Sequence, residues 1–377
     1  MKRNLEIEEW LFAFFAFGLS APYFLWNLPV NGILFVLSIV LVYKNWDSRL
    51  KLFLPLFALM YLWVALRSNF TFIGIITVAL FWPIFNARTD FMSNSFKKYK
   101  ILFSITVIPS IIVYLFFLAG FDLSYHTIEP ANSLKEGYYR AYPFMVLYES
   151  MPGFPMLRFH GYYDEPGIVG TVSGILLLTD NINLKNKYNI PILISGILSL
   201  SMFFYILIII YIILFAKIGY KIIMGLGMVL ALVFIFSIGE LDLPFLQRFI
   251  IEDGKFAGDS RTSSAYDLWF SNYITSFDSL IGYGGNKAGD LNVGGSSYKD
   301  LIVNYGLIFF VIYLLSFFLY ILHHCKKKIS IYVCLFVLIC TFYQRPAIFD
   351  FFYLFLWCGI ICVMSQEELG EYNYKVC

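Results

Sequence analysis

An all-α, polytopic helical membrane fold is predicted by three observations. Of the 377 residues, 60% are hydrophobic and only 14% are charged. The mean hydropathy is +0.74. Apolar runs of about 15–25 residues, the length needed to cross a bilayer core, recur along the chain between short charged or Pro/Gly-containing joints. The formal net charge of +2 carries no message about nucleic acid.

Taken in order, spans are expected near 10–26, 28–43, 52–66, 70–87, 101–121, 166–179, 190–201, 203–215, 222–239, 301–322, 329–343 and 349–364, about 12 in all. Met1 to Glu9 is charged and carries no cleavable leader pattern, so the first span serves as the insertion signal. Ile190–Phe215 reads either as one long helix or as two short ones hinged near Leu200-Ser201. Only the hairpin places Lys44–Lys51, Arg88–Lys100, Lys185–Lys187, Lys217–Lys221 and Lys326–Lys328 on one side, and the positive-inside rule therefore selects it. Both termini then face the cytoplasm. The chain divides into an N-terminal five-helix region (1–121), a first outer loop (122–165), central helices (166–239), a second outer loop (240–300) and C-terminal helices with a tail (301–377).

All six cysteines fall between Cys325 and Cys377, outside both loops, which argues against a disulfide framework. His323-His324-Cys325 runs straight into Lys326-Lys327-Lys328, and a basic anchor at the membrane edge is preferred to a metal site. Fourteen of the 18 lysines fall inside, whereas six of the nine arginines (Arg67, Arg140, Arg158, Arg248, Arg261 and Arg345) fall outside. A planar, permanently charged fork suits phosphate or carboxylate, and loop ion pairing is the plainer cause.

The loops are too long to be mere connectors. The first ends in Arg158-Phe-His-Gly-Tyr-Tyr-Asp-Glu-Pro166. Gly161 permits a tight turn, Pro166 suits a first helical position, and Glu165 suits the positive end of that helix. A helix N-terminus beside Arg158 makes an anion site, with Glu165, then Asp164, then His160 as candidate proton acceptors. In the second loop, Ser260 is placed to cap a short helix from Arg261 to about Phe270. Tyr138, Tyr139, Tyr142, Tyr148, Tyr162, Tyr163, Tyr266 and Trp269 offer either a path for sugar rings or an interfacial aromatic belt. The spans hold almost no ionisable groups at depth, which argues against an ion-coupled carrier. No Asp-x-Asp pair occurs, so a metal-bound nucleotide-sugar site is not indicated, and neither metal nor cofactor is expected.

The segment Arg158–Pro166 resembles the Arg-x-x-Gly-aromatic-x-x-(Glu/Asn)-Pro element of the O-antigen polymerase and ligase superfamily. Leu198-Ser-Leu-Ser201 is similar to that family's Ser/Thr-rich element between two short spans, and Ser260-Arg261, Ile281-Gly-Tyr-Gly284 and Ser296–Gly306 resemble its second large loop. The resemblance implies a Wzy-type polymerase of the bacterial inner membrane, acting at the periplasmic face. It implies transfer of a growing polysaccharide from undecaprenyl diphosphate onto a lipid-linked repeat unit, with a chain-length regulator as a further partner. Arg158 and Arg261 carry over as diphosphate or glycan contacts. Arg248, Arg345 and Tyr163 join them on outer-face position alone. Three departures stand out. Met202 occupies a position where the family often has arginine. The first outer loop, Asn27–Asn31, has no acid, unlike many polyprenyl-dependent transferases. The second loop has no histidine, which favours a polymerase over a ligase. The alternatives are a ligase or capsule polymerase of the same architecture, a lipid-linked oligosaccharide flippase, or a scaffold whose loops bind partners.

Overall fold

The computed structural model describes residues 2–26, 28–47, 53–67, 82–130, 137–151, 154–155, 158–180, 182–215, 251–252, 255–256, 264–284, 298–344 and 350–376. Helices dominate them: α1 (Lys2–Leu19), α2 (Val30–Lys44), α3 (Phe53–Arg67), α4 (Thr89–Leu118), α5 (Pro166–Leu178), α6 (Asn189–Leu198), α7 (Met202–Phe215), α8 (Ser264–Tyr273), α9 (Asp278–Ile281), α10 (Tyr298–His324), α11 (Lys328–Gln344) and α12 (Phe351–Val376). Short 3-10 turns occupy Tyr23–Leu25 and Trp82–Asn86. Two helices, α4 with 30 residues and α10 with 27, are long and apolar enough to cross a membrane. The helices are not the expected spans one for one. Of the expected spans, 222–239 and most of 70–87 lie outside the described residues, and α8 and α9 belong to the second large loop.

The bundle is organised around α12. Every residue from Phe351 to Ser365 is buried, as a helix apolar on all faces must be. Gly359 lets the Phe96 ring of α4 lie directly on it, and a Cβ there would sit 2.1 Å from that ring. Neighbouring helices interlock: Tyr99 meets Phe352, Met60 of α3 accepts from Ser316 Oγ of α10, and Ser365 Oγ of α12 donates to the His324 carbonyl at the end of α10. The outward faces are apolar too, for example Ile105, Ile108 and Ile112 on α4 and Val311 and Leu315 on α10.

The region near Leu200 is a hairpin, as lysine placement required. Along α5, Ser173 bonds Ser195 of α6 at 3.0 Å, while Gly170 meets Ser201 and Gly174 meets Leu207 of α7. The helix α6 therefore runs antiparallel to α5, and α7 parallel to it. The Gly170-x-x-x-Gly174 spacing makes the small-residue face that admits them. Leu200 makes the reversal at φ +48, a left-handed conformation that usually falls to glycine at a helix C-terminus.

A sheet is the main departure from an all-α expectation. Strands β1 (His126–Ile128), β2 (Tyr138–Tyr142), β3 (Met145–Met151) and β4 (Phe154–Pro155) form an antiparallel meander in the first large loop. Two-residue periodicity explains it. Tyr138, Arg140 and Tyr142 share a face with Met145, Leu147 and Glu149, and Tyr142, Met145 and Leu147 join the bundle core. Tyr139, Ala141 and Val146 form a second small core with Trp26 and Tyr23. A further two-stranded sheet pairs β5 (Ile251–Glu252) with β6 (Lys255–Phe256).

Candidate functional site

Both large loops gather at one end of the bundle. The sheet covers the last turns of α4 through Phe117–Tyr142 ring contact, and the second loop closes over the end of α3. There Arg67 donates to the Gly282 carbonyl, and Trp63 Nε1 donates to the Tyr305 carbonyl at 2.9 Å. Gly282 and Gly306, both at positive φ, pack backbone to backbone, so a side chain on either would strike the other strand of the joint. The opposite end holds Lys44, Lys98, Lys100, Lys185 and Lys326, consistent with the predicted partition of charge.

The segment from Arg158 to Pro166 lies between sheet, α5 and the α6–α7 turn. Phe159 N–H donates to the Leu198 carbonyl (3.1 Å), and Val146 N–H donates to the Gly161 carbonyl (2.9 Å). Gly161 turns the chain at φ +54. Pro166 opens α5, and Glu165 is its N-cap at φ −138, ψ 134. The Glu165 carboxylate makes no capping bond to the first-turn amides of α5, and it remains half-buried. That places a carboxylate beside the positive end of a helix.

Arg158 has a structural task that its sequence did not announce. Its Nε donates to the Ser199 carbonyl and its Nη2 to the Leu200 carbonyl, each at 3.1 Å. These are the orphan carbonyls at the end of α6, where cationic donors are favoured. At about 15 Å for 10 residues, α6 is too short to cross a hydrocarbon core by itself, and a donor on its terminal carbonyls satisfies groups that no further helical turn can. The guanidinium fork thus serves backbone rather than standing open as a diphosphate clamp. His160 is buried, its ring edge-on to Tyr139 at 6.2 Å, and is therefore enclosed in the fold instead of facing an acceptor hydroxyl. Tyr163 is likewise turned inward. It stacks on Phe103 and accepts from Ser20 Oγ at 3.3 Å, and burial pushes its phenol up to about 12. Tyr163 is thus a packing residue, not an accessible glycan contact. Arg248, Arg261 and Arg345 lie outside the described residues.

Two arrangements were not foreseen. Arg140 pairs bidentately with the fully buried Glu149, and its cation sits 4.8 Å from the Tyr125 ring. Donating to the Glu149 carboxylate holds the pKa of the guanidinium well above its ordinary value. The alternation Tyr138-x-Arg140-x-Tyr142 was the available signal. In the second loop, α8 starts at Ser264 and stacks Tyr266, Trp269 and Tyr273 in a ladder, with Trp269 and Tyr273 nearly parallel at 5.1 Å. Tyr266 Oη donates to Asp300 at 2.7 Å, and Lys299 pairs with Asp267, tying α8 to α10.

Among the described residues, no group of His, Cys, Asp and Glu is set to hold a metal ion. Compared with known proteins, the chain matches no family model, no curated protein and no solved structure.

Proposed function

We propose that this chain is an integral-membrane glycosyltransferase of the O-antigen polymerase type. It would move a growing glycan from undecaprenyl diphosphate onto a lipid-linked repeat unit at the end of the bundle where both large loops meet. The observation that carries the reading is the meeting of both large loops at one end of the bundle, where a half-buried carboxylate, Glu165, stands at the N-terminus of α5. The apolar outward faces of the bundle support a bilayer setting.

The chemistry follows from that placement. An acceptor sugar hydroxyl attacks the anomeric carbon of the donor, and Glu165 accepts its proton. The bond from that carbon to the diphosphate oxygen breaks, and the electron pair leaves with the diphosphate. The partial positive charge at the start of α5 offsets the growing negative charge. Arg158 acts as a positioning residue, holding the α6–α7 turn against α5, so its effect reaches the reaction through geometry.

Purified protein supplied with undecaprenyl-diphosphate-linked repeat units should yield a ladder of longer lipid-linked glycans without added metal. Folded protein that leaves the monomer unchanged rejects the proposal. Glu165→Gln should abolish the ladder while the protein still inserts. Full activity in that variant removes Glu165 as the base.

A further inference from the structure

A cavity of about 440 Å³ lies where the sheet meets the bundle, between Phe17 of α1, Tyr23 and Phe24 of the following turn, Thr106 of α4, Phe144 at the β2–β3 tip, and Tyr162. Its volume is that of a small-molecule site. Its polar atoms are already engaged. Tyr23 Oη donates to the Tyr142 carbonyl (3.2 Å), Thr106 Oγ1 donates to the Phe103 carbonyl (2.9 Å), and the Tyr162 hydroxyl pairs with Ser110. What the walls offer a guest is therefore hydrocarbon and ring faces.

Two of these walls hang from strained turns. Pro143-Phe144 are the central pair of the β2–β3 hairpin, and Phe144 takes φ +66 where such turns favour Gly or Asn. Pro143 cannot supply a positive φ, so the strain falls on Phe144. Ser110 Oγ holds the turn by donating to the Phe144 carbonyl at 2.6 Å. The turn carrying Tyr23 and Phe24 follows Ala21 at φ +55, whose carbonyl accepts from Trp26 Nε1. Phe24 and Phe144 are about half exposed at the lip. A large aromatic residue kept in a glycine position, with its ring at the mouth of an apolar cavity, points to a use for that ring. On the helices that supply Phe17 and Thr106 to the cavity, Phe14 of α1 and Ile105 and Ile108 of α4 are exposed apolar residues.

We infer that this cavity receives the hydrocarbon chain of a polyprenyl diphosphate, with Phe24 and Phe144 as its lips. The identity of the lipid rests on the proposed function. Tyr162 links the two sites. It lines the cavity, its carbonyl accepts the Tyr23 N–H at 2.7 Å, and Glu165 follows three residues later. A headgroup held at the start of α5 therefore has its first isoprene units beside this opening.

The test uses the full chain in detergent and a polyprenyl diphosphate carrying a diazirine on its first isoprene units. After irradiation, adducts should map to the peptides containing Phe24 and Phe144. Unlabelled polyprenyl diphosphate should compete, and phosphatidylethanolamine should not. Thr106→Trp, which fills the cavity, should weaken labelling ~10-fold or more, in line with the loss of one well-buried apolar contact surface. Phe144→Gly should weaken labelling similarly while raising the unfolding temperature, since it relieves the turn. A purely structural Phe144 would lower that temperature instead. Adducts elsewhere, or labelling unchanged in both variants, overturn the inference. Equal competition by phosphatidylethanolamine overturns the choice of a polyprenyl chain. Cavity labelling without a glycan ladder rejects the transfer reaction and leaves the lipid site standing.

Discussion

At the sheet end, Arg140 grips a fully buried Glu149 with two bonds, and Arg158 divides its fork between the carbonyls of Ser199 and Leu200. Arg67 there reaches the Gly282 carbonyl. At the opposite end most of the cations are lysines and their partners mostly acids: Lys44 with Glu8, Lys98 with Glu9, Lys100 with Asp180, joined by one arginine, Arg88, on Asp90. A planar fork can satisfy two acceptors fixed in a rigid turn, whereas an ammonium is a point charge that follows a mobile carboxylate. The outward bias of arginine thus has a cause in these three residues that needs no ligand. Irregular backbone gathers at the sheet end, and so do the donors that satisfy it.

The contrast can be broken from either side. Arg140→Met should cost the most, about 3–5 kcal/mol, because it leaves Glu149 buried without its cation. Thermal unfolding would show it, and Arg140→Met with Glu149→Leu should recover most of the loss. A single variant as stable as wild type would mean that the pair is dispensable. Gly170→Val should cost about 1–3 kcal/mol, since a Cβ there would lie 2.2 Å from that of Ser201. It should also reduce disulfide formation between Ser173→Cys and Ser195→Cys, whose hydroxyls are 3.0 Å apart.

Arg158→Lys should cost about 1–2 kcal/mol, because one ammonium cannot reproduce both carbonyl bonds. Lys100→Arg at the other end should be near neutral. If the two exchanges prove equally mild, the distinction between the ends fails. The smallest effect concerns Asp180. Burial raises its pKa, but hydrogen bonds from Asn186 and Lys100 outweigh that and hold the carboxyl below its ordinary 3.8. Its contribution is present above that value and lost as pH falls through the lower folded one. Asp180→Asn should therefore flatten part of the acid limb of a melting curve, by about 1 kcal/mol or less. An identical acid limb in the variant would contradict this.

What could be read in advance follows from which signals side chains carry. Lysine clusters marked the α6–α7 hairpin, and Glu165-Pro166 marked the start of α5, because charge and proline act locally. A short helix in the second loop was expected over Arg261–Phe270 and is described from Ser264 to Tyr273. The sheet is hard to read from sequence because the turn between its two longest strands, Pro143-Phe144, lacks the Gly or Asn that announces a hairpin. The Arg158 partners escaped for another reason: they are carbonyl oxygens, which any residue supplies. The burial of His160 and Tyr163 is not legible in the sequence, because a polar residue in a loop carries no sign that the loop folds down onto the bundle.

The short reach of α6 has a consequence for biogenesis. A segment of 10 residues cannot settle in a bilayer by itself. Several groups that receive the α6–α7 hairpin, Arg158, Gly170, Ser173 and Gly174, come earlier in the chain. By the time the ribosome delivers this hairpin, its berth has already been translated, so insertion can proceed by docking onto what came before.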